Sequence, residues 1–202
     1  MAKSAVTEVS CAVEGLLDEA IVSVLVRKAG GAVGTVYGKN GKSYIRTHIG
    51  GYNSAARFSP WVVLVDLDSD ADCPPPLRQL WLPAPSSQMC FRIAVRESEA
   101  WLLADPETLA VFLGIPCSRV PAAPEGVGNP KRTIVQLARS SRRGVIRAGM
   151  VPREGSGRSV GPEYTSLMIE YVSERWRPDV AAISSQSLSR SLSRIRELVN
   201  RM

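Results

Sequence analysis

Trp61-Val62-Val63-Leu64-Val65-Asp66-Leu67-Asp68-Ser69-Asp70-Ala71-Asp72 is the stretch that decides the fold. Its apolar run is unbroken and rich in β-branched residues. That is the signature of a strand buried on both faces, as in the centre of a parallel sheet. The run passes directly into alternating carboxylates. In open α/β sheets ligands bind beyond the carboxyl ends of the strands, which is where these acids fall. A strand period of two puts Asp66, Asp68 and Asp70 on one side if the extended geometry continues. Like charges held that close repel unless a cation sits among them. The stretch therefore predicts a Mg2+-type site at a sheet edge.

The flanking sequence repeats the pattern. Glu8 to Val13 reads as a short strand running into Val13-Glu14-Gly15. Gly15 permits a tight turn, and apolar residues at helical spacing predict a helix over Leu16 to Lys28, stopped by Gly30-Gly31. Val33 to Tyr37 is a second strand candidate, followed by turn residues at Gly38-Lys39-Asn40-Gly41-Lys42. Ser43 to Phe58 predicts a helix interrupted at Gly50-Gly51. Leu77 to Leu82 predicts a short helix beyond the Pro74-Pro75-Pro76 run, and Met89 to Val95 a further strand. That strand runs into Arg96-Glu97-Ser98-Glu99-Ala100-Trp101, and Pro106 opens a helix over Glu107 to Leu113. Strands alternating with helices predict a mostly parallel, three-layer α/β sheet.

Beyond Gly114 the character changes. Pro116 to Pro130 is a proline-rich loop or linker, and Lys131 to Arg139 predicts a helix. Ser140 to Arg147 is basic, and Val151 to Gly161 is loop by composition. Amphipathic helices are expected over Tyr164 to Trp176 and Leu188 to Val199. The expected organisation is an α/β domain over 1–118 with a basic helical extension over 119–202 that packs on it. Residues 1–118 hold 10 Lys/Arg against 12 Asp/Glu, and residues 119–202 hold 15 against 7. A basic second part on an acidic first suits a phosphate-rich partner, although a solubilising surface would carry the same charge.

Composition narrows the chemistry. The four cysteines form no CxxC pair and His48 is the only histidine, which argues against a zinc site. Any metal expected here is a hard, oxygen-ligated Mg2+ or Mn2+. His48, among Ile45, Ile49 and glycines, reads as structural rather than as a general base. No segment approaches the roughly 20 apolar residues that span a bilayer. Thr7, Glu8 and Ser10 near the N-terminus do not resemble a signal peptide. The expectation is a cytoplasmic protein with no membrane partner.

Three acidic clusters follow three predicted strands: Glu14, then Asp66/Asp68/Asp70, then Glu97/Glu99. Each alone is explained by capping or solvation. Their order, Glu-Gly, then Asp-x-Asp after an apolar strand, then a further Glu, resembles the Toprim catalytic domain of topoisomerases, primases and OLD-type nucleases. The likeness covers about residues 8–105. The longer pattern resembles the bacterial DUF4276 family of Toprim-like proteins. Its features here are Val13-Glu14-Gly15, Val65-Asp66-Leu67-Asp68, Arg92 to Asp105 (RIAVRESEAWLLAD) and Asn129-Pro130-Lys131.

The resemblance implies Mg2+-dependent (or Mn2+-dependent) hydrolysis of DNA or RNA, with a role in bacterial defence and a partner ATPase or other protein as further expectations. Asp66 and Asp68 would hold a first metal. Glu14 would bind a metal or act as general base, and Glu99 would complete a second metal site. Asp18, Asp70 and Glu97 are secondary ligand candidates. Asp18 is preferred to Glu19 because it shares a helix face with Glu14. Leu16-Leu17 stand where Toprim nucleases often have a threonine or small residue. Arg96 and Lys131 are candidates for the transition-state phosphate, Lys131 reading equally as a surface lysine at a helix start. The arginines of 139–158, among them Arg142, Arg143 and Arg147, are candidates for backbone phosphates and read equally as a solvated loop. Trp101 reads as core rather than as a base-stacking platform. Gly155-Ser156-Gly157 follows no strand and lacks a P-loop lysine, so it is not read as a nucleotide loop. Two alternatives remain: a non-catalytic nucleic-acid or protein-binding module on the same fold, and phosphotransfer or hydrolysis on a nucleotide.

Overall fold

The apolar run at 61–66 becomes a central strand because both of its faces find apolar cover. The computed structural model describes residues 6–201. Four strands, β1 (Glu8–Val13), β2 (Ala32–Gly38), β3 (Trp61–Asp66) and β4 (Met89–Ala94), form an all-parallel sheet in the order β2-β1-β3-β4. The crossovers are the helices α1 (Leu16–Lys28), α2 (Lys42–Ala55) and α3 (Pro74–Trp81). On one face Trp61, Val63, Val65, Met89, Phe91 and Ile93 bury against Ile45, Ile49 and Tyr52 of α2 and Leu77 of α3. The alternate residues Val9, Cys11, Val13, Val62, Leu64 and Cys90 are equally buried on the other face. There α1 packs on β1 and β3. The last helix, α10 (Gln186–Asn200), joins that face: Arg92 Nε donates to Ser191 Oγ at 3.2 Å, and Thr7 Oγ1 donates to the Val199 carbonyl at 3.1 Å. This is the parallel α/β architecture that the alternation of strands and helices predicts, and it is consistent with a Rossmann- or Toprim-like fold.

The chain divides into two compact units. One ends at Ala94 and takes up again from Arg190; the other runs Val95–Ser189. The change of composition at 118/119 therefore lies inside the second unit, where the RESEAWLLAD segment packs with the helices that follow it. This second unit is helical. It contains α4 (Glu99–Leu103), α5 (Pro106–Leu113), α6 (Pro130–Arg139), α7 (Gly144–Met150), α8 (Tyr164–Glu174) and α9 (Pro178–Ser184). Trp101 lies at its centre, fully buried, its Nε1 donating to Ser187 Oγ at 2.7 Å. Asp105 is wholly buried and is met by the Arg177 guanidinium at 2.6 and 3.1 Å. Among the described residues no helix is long and apolar enough to cross a membrane.

Several sequence expectations change. Gly50 and Gly51 do not interrupt α2, which runs through them. A Cβ at either would meet nothing within 4 Å, so both lie on an open side where the lost side chain costs no packing. Helix α3 begins at Pro74, not Leu77, because prolines in a first turn lack only amide hydrogens that have no helical partner. Helix α7 forms where the sequence read only as basic, and α9 lies in a stretch, 177–187, to which the sequence reading assigned no element.

Candidate functional site

Strand order fixes where a ligand would bind. After β1 the chain crosses to β2 on one side, and after β2 it crosses back to β3 on the other. The crevice between the carboxyl ends of β1 and β3 is thus the topological switch point of the sheet, the usual ligand position in such folds. Glu14 follows β1 directly and Asp66 ends β3. Glu14 Oε1 accepts the Asp66 backbone N–H at 2.8 Å, so the two meet at the switch point. Burial raises the Glu14 carboxyl to about 7; the Asp66 N–H bond opposes this and the Asp18 charge adds to it. A carboxyl that titrates near neutrality can both accept and release a proton at physiological pH.

The strand does not stay extended past Asp66. Leu67 still donates its N–H to the Ala94 carbonyl at 2.8 Å, but Asp68 turns into the left-handed region with φ +51°. Asp70 N–H then closes a turn on the Leu67 carbonyl at 3.2 Å. Asp68 and Asp70 are brought together by this turn, not by strand alternation. A non-glycine residue at positive φ is strained and is held there by its surroundings. Here the surroundings include Lys42. Its Nζ lies 2.9 Å from Asp68 Oδ2, 2.7 Å from Asp70 Oδ2 and 3.2 Å from the Leu67 carbonyl. Burial alone would lower the Lys42 pKa, but the bonds to Asp70 and Asp68 outweigh it and the net shift is upward.

The loop that carries Lys42 is tied to the end of β1. Lys39 N–H donates to the Val13 carbonyl at 2.8 Å, and Gly41 N–H donates to the Glu14 carbonyl at 3.0 Å. Gly38 makes this approach possible: it has φ +89°, and a Cβ there would lie 2.3 Å from the Val13 carbonyl oxygen. Lys42 is the site residue that the sequence reading missed. Its signal was a lysine between two turn glycines and a helix start, an unfavourable place for a cation beside the helix dipole unless acids face it. Asp18 acts within its own turn, where its Oδ2 accepts Gly15 N–H at 3.0 Å at the start of α1.

The second unit holds the other predicted acids. Glu97 Oε2 accepts Lys131 N–H at 2.8 Å at the first turn of α6, where Asn129 Oδ1 also accepts Arg132 N–H at 2.7 Å. Glu99, 2 % exposed, takes the Lys131 Nζ at 3.4 Å and the Tyr164 hydroxyl at 3.3 Å. Two sequence features about 30 residues apart, the Glu-Ser-Glu-Ala-Trp and Asn-Pro-Lys segments, thus meet in one cluster. Arg96, two residues past β4, has φ +63°.

The predicted phosphate-binding arginines at 142–147 are placed differently. Arg143 Nη1 donates to the Phe112 carbonyl at 2.5 Å and its guanidinium lies over the Phe112 ring. Arg147 Nη1 donates to the Ser141 carbonyl. Arg143 thus reaches back 31 residues to the end of α5 and Arg147 closes a turn six residues back, although all three, Arg142 included, are exposed. His48 is also exposed, its Nδ1 2.8 Å from the Tyr44 carbonyl in the preceding turn of α2 and its ring stacked on Tyr44.

No protein-family model, no curated protein and no solved structure matches the chain.

The first unit's acids suit a hard divalent cation in kind, since every donor is a carboxylate oxygen or a carbonyl. Among the described residues no group of three or more His, Cys, Asp or Glu side chains is placed to hold a metal ion. Magnesium does not require one; it is commonly held by one or two carboxylates, with water and substrate phosphate completing the shell. The Lys42 ammonium supplies the positive charge between Asp68 and Asp70 in this structure.

Proposed function

We propose that the chain is a divalent-metal-dependent phosphodiesterase acting on nucleic acid, built on a Toprim-like α/β unit of the kind found in the DUF4276 family. The observation that carries this reading is the bond between Glu14 and Asp66 at the switch point of the sheet. Asp66 and Asp68 would hold Mg2+ or Mn2+. Such an ion polarises a phosphate oxygen and lowers the pKa of a bound water. Glu14, with its carboxyl near neutrality and its position fixed by Asp66 N–H, is suited to take the proton of an attacking water. Lys42 is suited to compensate the acids before substrate arrives and to face a phosphate afterwards.

The Lys42 ion pairs also support a second reading, a binding module on the same fold in which the lysine is a permanent counter-ion. Two measurements separate them. Plasmid, single-stranded DNA and RNA are incubated with Mg2+ or Mn2+ and wild type or Asp66→Ala/Asp68→Ala, and metal binding is titrated by calorimetry. The nuclease reading expects cleavage and metal binding that both disappear in the double variant. Retention of nucleic acid without cleavage, and metal binding unchanged by the substitutions, would favour the binding module. Turnover confined to mononucleotides would favour nucleotide hydrolysis.

A further inference from the structure

The second unit contains a hollow that none of the predicted site residues lines. It has a volume of about 390 Å3 and is formed by Arg139 at the end of α6 and by the loop Pro152-Arg153-Glu154-Gly155-Ser156-Gly157-Arg158. Three arginines and one acid, Glu154, line it, an excess of two positive charges. Arg139, Arg153 and Arg158 are exposed. Arg143, Arg147 and Arg177 spend their side chains on carbonyls or carboxylates of the protein; among the described residues these three do not. The loop is not shapeless. Gly155 and Gly157 hold φ +74° and +66°, Ser156 N–H donates to the Arg153 carbonyl at 3.1 Å, and Arg158 N–H donates to Ser156 Oγ at 3.3 Å. This tight turn holds Arg153 and Arg158 on either side of the glycines.

We propose that this hollow is a cradle for the phosphodiester backbone of a nucleic-acid strand. Guanidinium groups suit phosphate because their planar fork donates two parallel hydrogen bonds. The lining includes no aromatic ring and, apart from Pro152, no apolar side chain. A base would find nothing to stack on, so the site reads charge and spacing rather than sequence. The same lack separates it from a mononucleotide pocket, which ordinarily encloses the base in apolar or aromatic surface. This inference deepens the nuclease reading and rests on it for the identity of the polymer. Within the arginines of 139–158 it assigns the contact to Arg139, Arg153 and Arg158 rather than to Arg142, Arg143 and Arg147.

The test is equilibrium binding of fluorescent single- and double-stranded oligonucleotides to the full chain, in EDTA so that no cleavage intervenes. Affinity is measured across a salt series for wild type, for Arg139→Ala/Arg153→Ala/Arg158→Ala and for a charge control, Arg175→Ala. Each lost phosphate contact lowers the slope of log K against log salt by about 0.9 on duplex and about 0.7 on single strands. The triple variant is expected to lose about 2.7 units of slope on duplex and about 2.1 on single strands, and at least about tenfold in affinity, while the control stays near wild type. Melting temperature confirms that these surface changes leave the fold intact. An unchanged slope in the triple variant, or an equal loss in the control, overturns the cradle. Displacement of the oligonucleotide by millimolar phosphate or mononucleotide overturns it in favour of a small-anion site. Wild type that cleaves nucleic acid while the triple variant binds normally removes the cradle and leaves the nuclease. Wild type that neither binds nor cleaves removes both.

Discussion

Glu14 Oε1 accepts the backbone N–H of Asp66 at 2.8 Å, a bond between residues 52 apart that ties the end of β1 to the end of β3. The bond holds a half-buried carboxyl whose pKa burial lifts from 4.5 to about 7. The folded state therefore binds the proton more tightly than the unfolded one. The resulting stability is fully present below about pH 4.5 and is lost as pH rises through about 7. Above that range the ionised carboxylate costs about 2 kcal/mol, after allowance for its partial exposure. Glu14→Gln keeps an acceptor for Asp66 and removes the charge. In EDTA it is expected to raise the melting temperature at pH 8 by about 4–8 °C, and by much less at pH 5. Equal shifts at both pH values would remove protonation of Glu14 from the account.

Lys42 stands where a divalent ion would be needed to quiet Asp68 and Asp70. The pair is partly exposed, with the lysine side chain 17 % accessible and the aspartates 44 % and 46 %. Its loss should therefore be modest, about 1 kcal/mol in EDTA for Lys42→Met. The two carboxylates then face each other uncompensated, which favours any cation that can join them. Added Mg2+ or Mn2+ is expected to raise the melting temperature of Lys42→Met by more than that of wild type, by mass action on the folded state. A smaller metal effect in the variant would mean that the lysine does not compete with the ion.

Two glycines in neighbouring elements should respond in opposite directions. Gly38→Ala must place a methyl group 2.3 Å from the Val13 carbonyl oxygen and 2.6 Å from Ile45 Cδ1, at φ +89°. It is expected to cost about 2–4 kcal/mol and to loosen the loop that carries Lys42. Gly50→Ala enters open space inside α2 and should stabilise by about 1 kcal/mol. Urea denaturation of both variants checks the pair; a neutral Gly38→Ala would show that β2 can shift away from Val13.

The strand ends were legible because they depend on local pattern. Val62 to Val65 has no polar residue to turn outward, so it had to be covered on both faces, and Glu14 and Asp66 had to fall at the carboxyl edge. Strand order was not legible, and it is what makes the β1–β3 edge, rather than any other, the switch point. Lys42 was hidden for a related reason. A lysine at a helix start signals that acids must face it, but not that they are the acids some 26 residues later until β2 and β3 are placed on opposite sides of β1. The arginines at 139–158 were legible as charge but not as geometry. Arg143 and Arg147 find backbone carbonyls of the protein, which no count of charges reveals.

Lys131 poses the sharpest choice between packing and chemistry. Its ammonium lies 3.4 Å from Glu99 Oε1, and the carboxylate is 2 % exposed while the lysine side chain is 40 % exposed. Burial, together with the charge of Glu99, raises the Tyr164 pKa well above its usual value, so its hydroxyl keeps its proton and donates to Glu99. Removing one member of a buried ion pair costs about 3–5 kcal/mol, because the remaining charge is stranded. Solvent access to Lys131 should reduce this to about 2 kcal/mol for Lys131→Met at pH 7. Glu99→Gln/Lys131→Met removes both charges and is expected to recover most of the loss, a coupling of more than about 1 kcal/mol in a double-mutant cycle. Tyr164→Phe should cost about 1 kcal/mol in wild type, for the lost hydrogen bond to a charged acceptor, and less in the Glu99→Gln background. Chemical denaturation of the set measures all of these. A coupling near zero would mean that Glu99 does not hold the ammonium in solution, and Lys131 would then be placed to meet a phosphate. A strong coupling would make Lys131 the fixed partner of Glu99 inside the second unit, and phosphate contact would then fall to other basic residues.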